Sequence, residues 1–183
     1  TLNIDHNKKY VELLNQLSQR DGSVLIFAKT KHGTQRMAKN LTNDGFKADA
    51  LNGNLNQNKR DKVMSGFRNK KFKVLVATDI ASRGLDVDHI EHVINYDLPK
   101  FADEYIHRIG RTGRAGNKGV AISFISGKDW HSFSAIKSKL TQDYSFSEYE
   151  GLPSKFKGRR AMVEKKAESK ASVKVQQKAI KNP

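Results

Sequence analysis

The chain has 183 residues, 37% hydrophobic and 29% charged, with a formal net charge of +15. That is room for one packed domain of about 100–150 residues plus extensions, and the charge points to nucleic acid ahead of an anionic membrane surface or a merely solubilising excess. The absence of cysteine excludes disulfides and thiolate metal sites and suits a reducing cytoplasm, and no apolar run approaches the ~18 residues of a membrane helix, so no membrane partner is expected.

The opening TLNIDHNKKY carries no initiator Met, and a fragment of a longer protein is expected. Residues 1–20 read as an interdomain linker and a first helix, whose stripe is Tyr10, Leu13, Leu14 and Leu17. A continuous apolar run, Val24 to Phe27, follows, then a helical stripe of Met37, Ala38 and Leu41 and another of Val63, Met64 and Phe67. Further runs occupy Val74 to Val76, His92 to Asn95 and Val120 to Ile125. Unbroken apolar runs suit strands buried on both faces of a parallel sheet. Their alternation with helical patterns predicts an α/β domain over 21–140, with a parallel sheet flanked by helices on both faces. In such sheets ligands sit beyond the carboxyl ends of the strands. Residues 141–183 read as a basic extension, and from 151 onward ten Lys or Arg stand against two Glu. The histidines read as surface or packing residues without metal-ligand spacing, so no metal site is expected. Trp130 reads as an edge-of-core anchor, while Phe156, between Lys155 and Lys157, is a candidate for stacking on single-stranded RNA.

Two stretches carry chemistry. After a helix-like segment from Phe101 to Ile106 comes His107-Arg108-Ile109-Gly110-Arg111-Thr112-Gly113-Arg114-Ala115-Gly116. Its glycines let a ligand approach the backbone, and its guanidinium forks match phosphate oxygens; the bland alternative is a solvated basic loop. The glycines neither follow a strand nor open a helix, which disfavours a dinucleotide-binding loop, and the pattern GxxxxGK[ST] occurs nowhere in the chain. The second stretch, Val74 to Asp86, leaves a strand and delivers Thr78, Asp79, Arg83 and Asp86 to the sheet edge, where they could bind sugar-phosphate. The bland alternative there is that Asp79 caps a helix and Arg83 pairs locally with Asp86.

Together, HRIGRTGR and the upstream ATDIASRGLD resemble the second RecA-like domain of the DEAD-box RNA helicases, over roughly residues 5 to 140. LIFAKTKHG, Gln57 with Arg60, Phe67-Arg68 and Val93 to Asp97 fit further blocks in order, and His107 favours the DEAD-box branch over other helicases. A compact domain with a short Lys-rich tail looks bacterial. The resemblance implies a RecA-like fold and the C-terminal motor half of an ATP-dependent RNA helicase. Arg111 and Arg114 would be arginine fingers, with His107 coupling the ATP site to RNA. Asp86 would bind the ATP ribose beside Gly84. Thr30, Gly33, Gly53, Arg60, Thr78 and Arg83 would line the RNA backbone, touching phosphates and 2′-hydroxyls rather than bases. ATP and Mg²⁺ would be bound mainly by an N-terminal RecA-like domain of the same protein, with RNA as the other partner, and a cytoplasmic monomer is expected. The family usually has His-Gly-Asp where this chain has Asn52-Gly53-Asn54, which puts the contribution of the flanking side chains in doubt. A non-catalytic RNA-binding module and a DNA-translocating domain are the rival readings.

Overall fold

The computed structural model describes residues 2–3, 5–82, 90–113, 118–140 and 145–146. Six strands, β1 (Leu2–Asn3), β2 (Val24–Phe27), β3 (Ala48–Leu51), β4 (Val74–Ala77), β5 (His92–Asn95) and β6 (Val120–Ile125), form one sheet. Their spatial order is β1-β6-β5-β2-β4-β3, and every pairing is parallel. The four runs singled out by their apolar continuity are the four inner strands; β1 and β3 are the edges.

Alternation along each strand sorts the core into layers. Val24, Ile26, Val74, Val76, Ile94 and Phe124 face α1 (Lys9–Ser18) and α2 (Lys31–Asn43), and pack with Leu13, Leu17, Met37 and Leu41. Leu25, Phe27, Leu75, Ala77 and Val93 pack with Met64 and Phe67 of α3 (Gln57–Arg68) and Ala81 of α4 (Asp79–Ser82). Ile125, out of phase with Phe124, packs with α5 (Ala102–Ile109) and α6 (Trp130–Lys137) through Tyr105, Phe133 and Ile136. Trp130 is half-buried at the rim of that third cluster, its ring centroid 5.7 Å from that of Phe133. Helices therefore cover both faces, as the sequence pattern predicts.

The first helix expected within residues 1–20 is part of the packed body. Beyond its apolar stripe, α1 buries Lys9 completely. The Lys9 ammonium donates to the Tyr96 carbonyl at 2.9 Å and to Asp129 Oδ2 at 2.7 Å, beside the Tyr96 ring. Asp129 Oδ2 also accepts from the Ser126 amide at 3.0 Å and hydroxyl at 2.6 Å. One buried charge thus fastens α1 to the turn between β6 and α6. The extension expected over 141–183, with Phe156, lies outside the described residues apart from Ser145 and Phe146.

Burial alone would push the Asp129 carboxyl up, but the Lys9 ammonium and the hydrogen bonds from Lys9 and Ser126 outweigh it and hold the group below its ordinary range. A carboxyl depressed in the folded state stabilises the fold at pH values above its unfolded pKa of about 4, and that contribution is lost as pH falls through the folded value. Asp129→Asn should strand the Lys9 ammonium in the interior, costing about 3–5 kcal/mol at neutral pH. It should also flatten the loss of stability below about pH 4. Urea unfolding at pH 7 and pH 3 measures both effects. An Asp129→Asn protein as stable as the wild type at pH 7 would show that the ion pair carries no such role.

Candidate nucleotide and nucleic-acid site

The buried face of α5 is Ala102, Tyr105 and Arg108, a helical stripe that ends in a charge. Arg108 is 3% exposed. Its Nε and Nη2 donate to the two carboxylate oxygens of Asp79 at 2.6 and 2.5 Å, a bidentate fork. Its Nη1 donates to Asn95 Oδ1 at 3.1 Å and to the Asp97 carbonyl at 2.6 Å, and its guanidinium carbon lies 4.7 Å from the centroid of the Phe27 ring. Asn95 in turn donates to the Ser123 hydroxyl at 3.1 Å, which also bonds Tyr105 Oη at 3.0 Å. Burial raises the Tyr105 phenol pKa, with the Ser123 hydrogen bond opposing, so the ring stays neutral in its network. One guanidinium therefore joins the carboxyl ends of β2, β4 and β5 to α5. Asp79 opens α4, but both carboxylate oxygens go to Arg108. That makes it the partner of a buried guanidinium, a role that the sequence did not offer.

Beside this pair Asp79 and Ser82 of α4 face Glu104, His107, Arg108 and Arg111 across an open concavity floored by Phe27. His107 is exposed and Arg111 half-buried. The structure thus brings His107 and Arg111 together. Past Arg111 the loop is pinned. Thr112 Oγ1 lies 2.6 and 2.9 Å from the Ile90 and Glu91 carbonyls, and Thr112 bridges Ile90 in parallel register. Gly119 returns against the same point: a Cβ there would overlap both Thr112 Oγ1 and the Gly113 amide, so only glycine fits. Arg114 lies outside the described residues, as do Arg83, Gly84 and Asp86.

A second group gathers beyond β2 and β3. The Thr30 hydroxyl caps α2 by accepting from the Gly33 amide at 2.9 Å, so close that a Cβ on Gly33 would come within 2.8 Å of it. Thr30 and Gly33 line a concavity with His32, Arg36 and Lys39. Gly53 is exposed, with Lys31 lying over the place a Cβ would occupy. Arg60 is half-buried, and its Nη2 donates to the Ala81 carbonyl at 2.6 Å, tying α3 to α4. Thr78 is 9% exposed and offers little surface to a ligand. Of the expected RNA-facing residues, Thr30, Gly33 and Gly53 share this edge. Arg60 and Thr78 are drawn toward the α4 segment.

Residues 5–116 match the family described as helicase conserved C-terminal domain. Escherichia coli DEAD-box protein SrmB, solved bound to regulator of ribonuclease activity A, superposes with a TM-score of 0.80 at 30% identity, over 86% of this chain and 94% of that one. The chain belongs to the DEAD-box helicases, as their C-terminal domain. Against the ATP-dependent RNA helicase RhlB of Pseudomonas syringae it is 46% identical over 138 residues, 75% of this chain and 35% of the relative. The chain thus spans about a third of the length of that relative. Saccharomyces cerevisiae Dbp5, solved bound to RNA and ADP BeF3, superposes with a TM-score of 0.68 at 34% identity, over 81% of this chain and 41% of that one.

In this DEAD-box domain Arg108 is buried and Arg111 lines the concavity, and two variants test what holds this segment in place. Arg108→Lys keeps the charge but loses the planar fork that satisfies Asp79, Asn95 and Asp97 together. It should cost up to about 3–5 kcal/mol in chemical denaturation, the scale of a broken buried pair. A loss below about 0.5 kcal/mol would assign Arg108 to the surface class. Gly119→Ala should push Thr112 off its two carbonyls. The expected result is faster amide hydrogen exchange around Thr112 and Gly113, with the melting temperature changed far less than by Arg108→Lys.

Proposed function

We propose that this domain is the C-terminal motor half of an ATP-dependent RNA helicase, with ATP and RNA gripped jointly with an N-terminal RecA-like domain. The observation that carries the reading is the fate of Arg108. Its guanidinium is committed inside the domain and therefore does not serve a phosphate. Arg111 opens with His107 onto the concavity between α4 and α5. A half-buried guanidinium beside an exposed imidazole fits an anionic phosphoryl oxygen.

ATP with Mg²⁺ supplies the phosphoryl group whose hydrolysis drives the cycle, and the N-terminal domain would hold the metal. On this side, Arg111 and Arg114 would neutralise charge on the γ-phosphoryl oxygens. Asp86 would accept from the ribose hydroxyls beside Gly84. His107 would link that edge to RNA, while Thr30, Gly33, Gly53, Arg60, Thr78 and Arg83 would follow the RNA backbone. Because the two edges belong to one rigid sheet, bringing the domains together would align the fingers and bend the bound strand in one movement. The solved Dbp5 complex with RNA and ADP BeF3 supports pairing the two ligands in this family.

An interaction stronger in the transition state than in bound ATP lowers kcat when it is lost. In the full-length enzyme, Arg111→Ala and Arg114→Lys should each reduce kcat at saturating ATP and RNA by about 10³-fold or more. An arginine that only touches RNA phosphate would instead raise the RNA concentration needed for half-maximal rate and reduce the salt dependence. RNA-stimulated turnover near the wild-type kcat in Arg114→Lys would overturn the finger assignment.

A further inference from the structure

Asn52 stands where the family usually has histidine, and it is 1% exposed, so it cannot itself touch a nucleic acid. Its side chain is nevertheless engaged through both its donor and its acceptor. Nδ2 donates to Thr34 Oγ1 at 3.0 Å, and Oδ1 accepts from the Asn54 amide at 3.0 Å. Its carbonyl accepts from the Leu55 amide at 3.2 Å. Thr34, completely buried in the first turn of α2, passes the link on: its hydroxyl donates to the Lys31 carbonyl at 2.7 Å, and its amide donates to the Thr30 carbonyl at 2.9 Å. A continuous hydrogen-bonded chain thus runs from the turn after β3 to the start of α2. On its outer side lie exposed Gly53 and Lys31, whose Cε and Nζ sit 3.4 and 3.7 Å from where a Gly53 Cβ would be.

We propose that Asn52 is a positioning residue for RNA, a buried clasp that fixes Gly53 against Thr30, Lys31 and Gly33 so that the two loops grip one stretch of sugar-phosphate backbone as a unit. The proposal rests on the reading that these loops face RNA. An amide suits the task because it presents a donor and an acceptor together, one to each loop, with a polarity that does not change with pH. The alignment is set before RNA arrives, so its loss appears as weaker binding rather than slower chemistry.

The test is RNA-stimulated ATPase of the full-length enzyme with single-stranded oligouridine, alongside melting temperatures. Asn52→Ala and Thr34→Val remove opposite ends of one hydrogen bond. Each should raise the RNA concentration for half-maximal rate about tenfold, the scale of one hydrogen bond, with kcat at saturating RNA within about twofold of wild type. The double variant should be no worse than the poorer single, because both break the same link. Thr34→Ser keeps the hydroxyl and should bind RNA as wild type does, which decides the matter even if Asn52→Ala fails to fold. Additive losses, a lowered melting temperature with unchanged RNA dependence, or failure of Thr34→Ser to restore binding would overturn the clasp. Wild-type enzyme whose ATPase ignores oligouridine would instead overturn the reading on which it rests.

Discussion

The ion pair between Arg108 and Asp79 is the constraint on which the edge carrying His107 and Arg111 depends. Taking a guanidinium to 3% exposure carries a desolvation penalty that Coulomb attraction to one carboxylate does not by itself repay. Here the deficit is offset by satisfying every nitrogen: two on Asp79, and Nη1 on both Asn95 and the Asp97 carbonyl, with the Phe27 ring against the cationic plane. Such a node tolerates little displacement. Shifting α5 by about an ångström would break several charge-assisted hydrogen bonds together, so α5 and α4 hold one relative placement. His107 and Arg111 inherit that precision because they flank Arg108 on the same short segment.

Most of the fold was legible because the four inner strands are buried on both faces and read as unbroken apolar runs. The edges were not. β3 is Ala48-Asp49-Ala50-Leu51, with one neighbouring strand and a half-exposed first half, so neither continuity nor alternation marks it. β1 has two residues, too few for any period. The helices followed their stripes. Leu13 and Leu17, Met37 and Leu41, and Met64 and Phe67 all lie in the core.

What the sequence left unread is how the described site residues divide between framework and open surface. Three arginines in HRIGRTGR look alike in sequence, yet Arg108 falls six residues after Ala102 and three after Tyr105, on the buried phase of α5. That phase was the available signal, and a charge on an apolar stripe asks for a buried partner. For Asp79 the sequence offered a sugar-binding role or a helix cap but not this pairing, because its partner lies 29 residues away. Asn52 was noticed only as a departure, since nothing local reveals that Thr34 lies across from it. Thr30 likewise spends its hydroxyl on the start of α2, and Thr78 spends its amide on the Leu51 carbonyl and its carbonyl on the Ser82 amide.

The buried Lys9 has a mechanical consequence. Its ammonium is bolted to Asp129 and to the Tyr96 carbonyl, on two separate segments, while Leu13 and Leu17 fill the core one and two turns further on. The helix cannot pivot on the sheet without drawing an ion out of its socket. A torque delivered to α1 is therefore transmitted to the whole sheet as a lever transmits load, with no compliant element in α1 to absorb it.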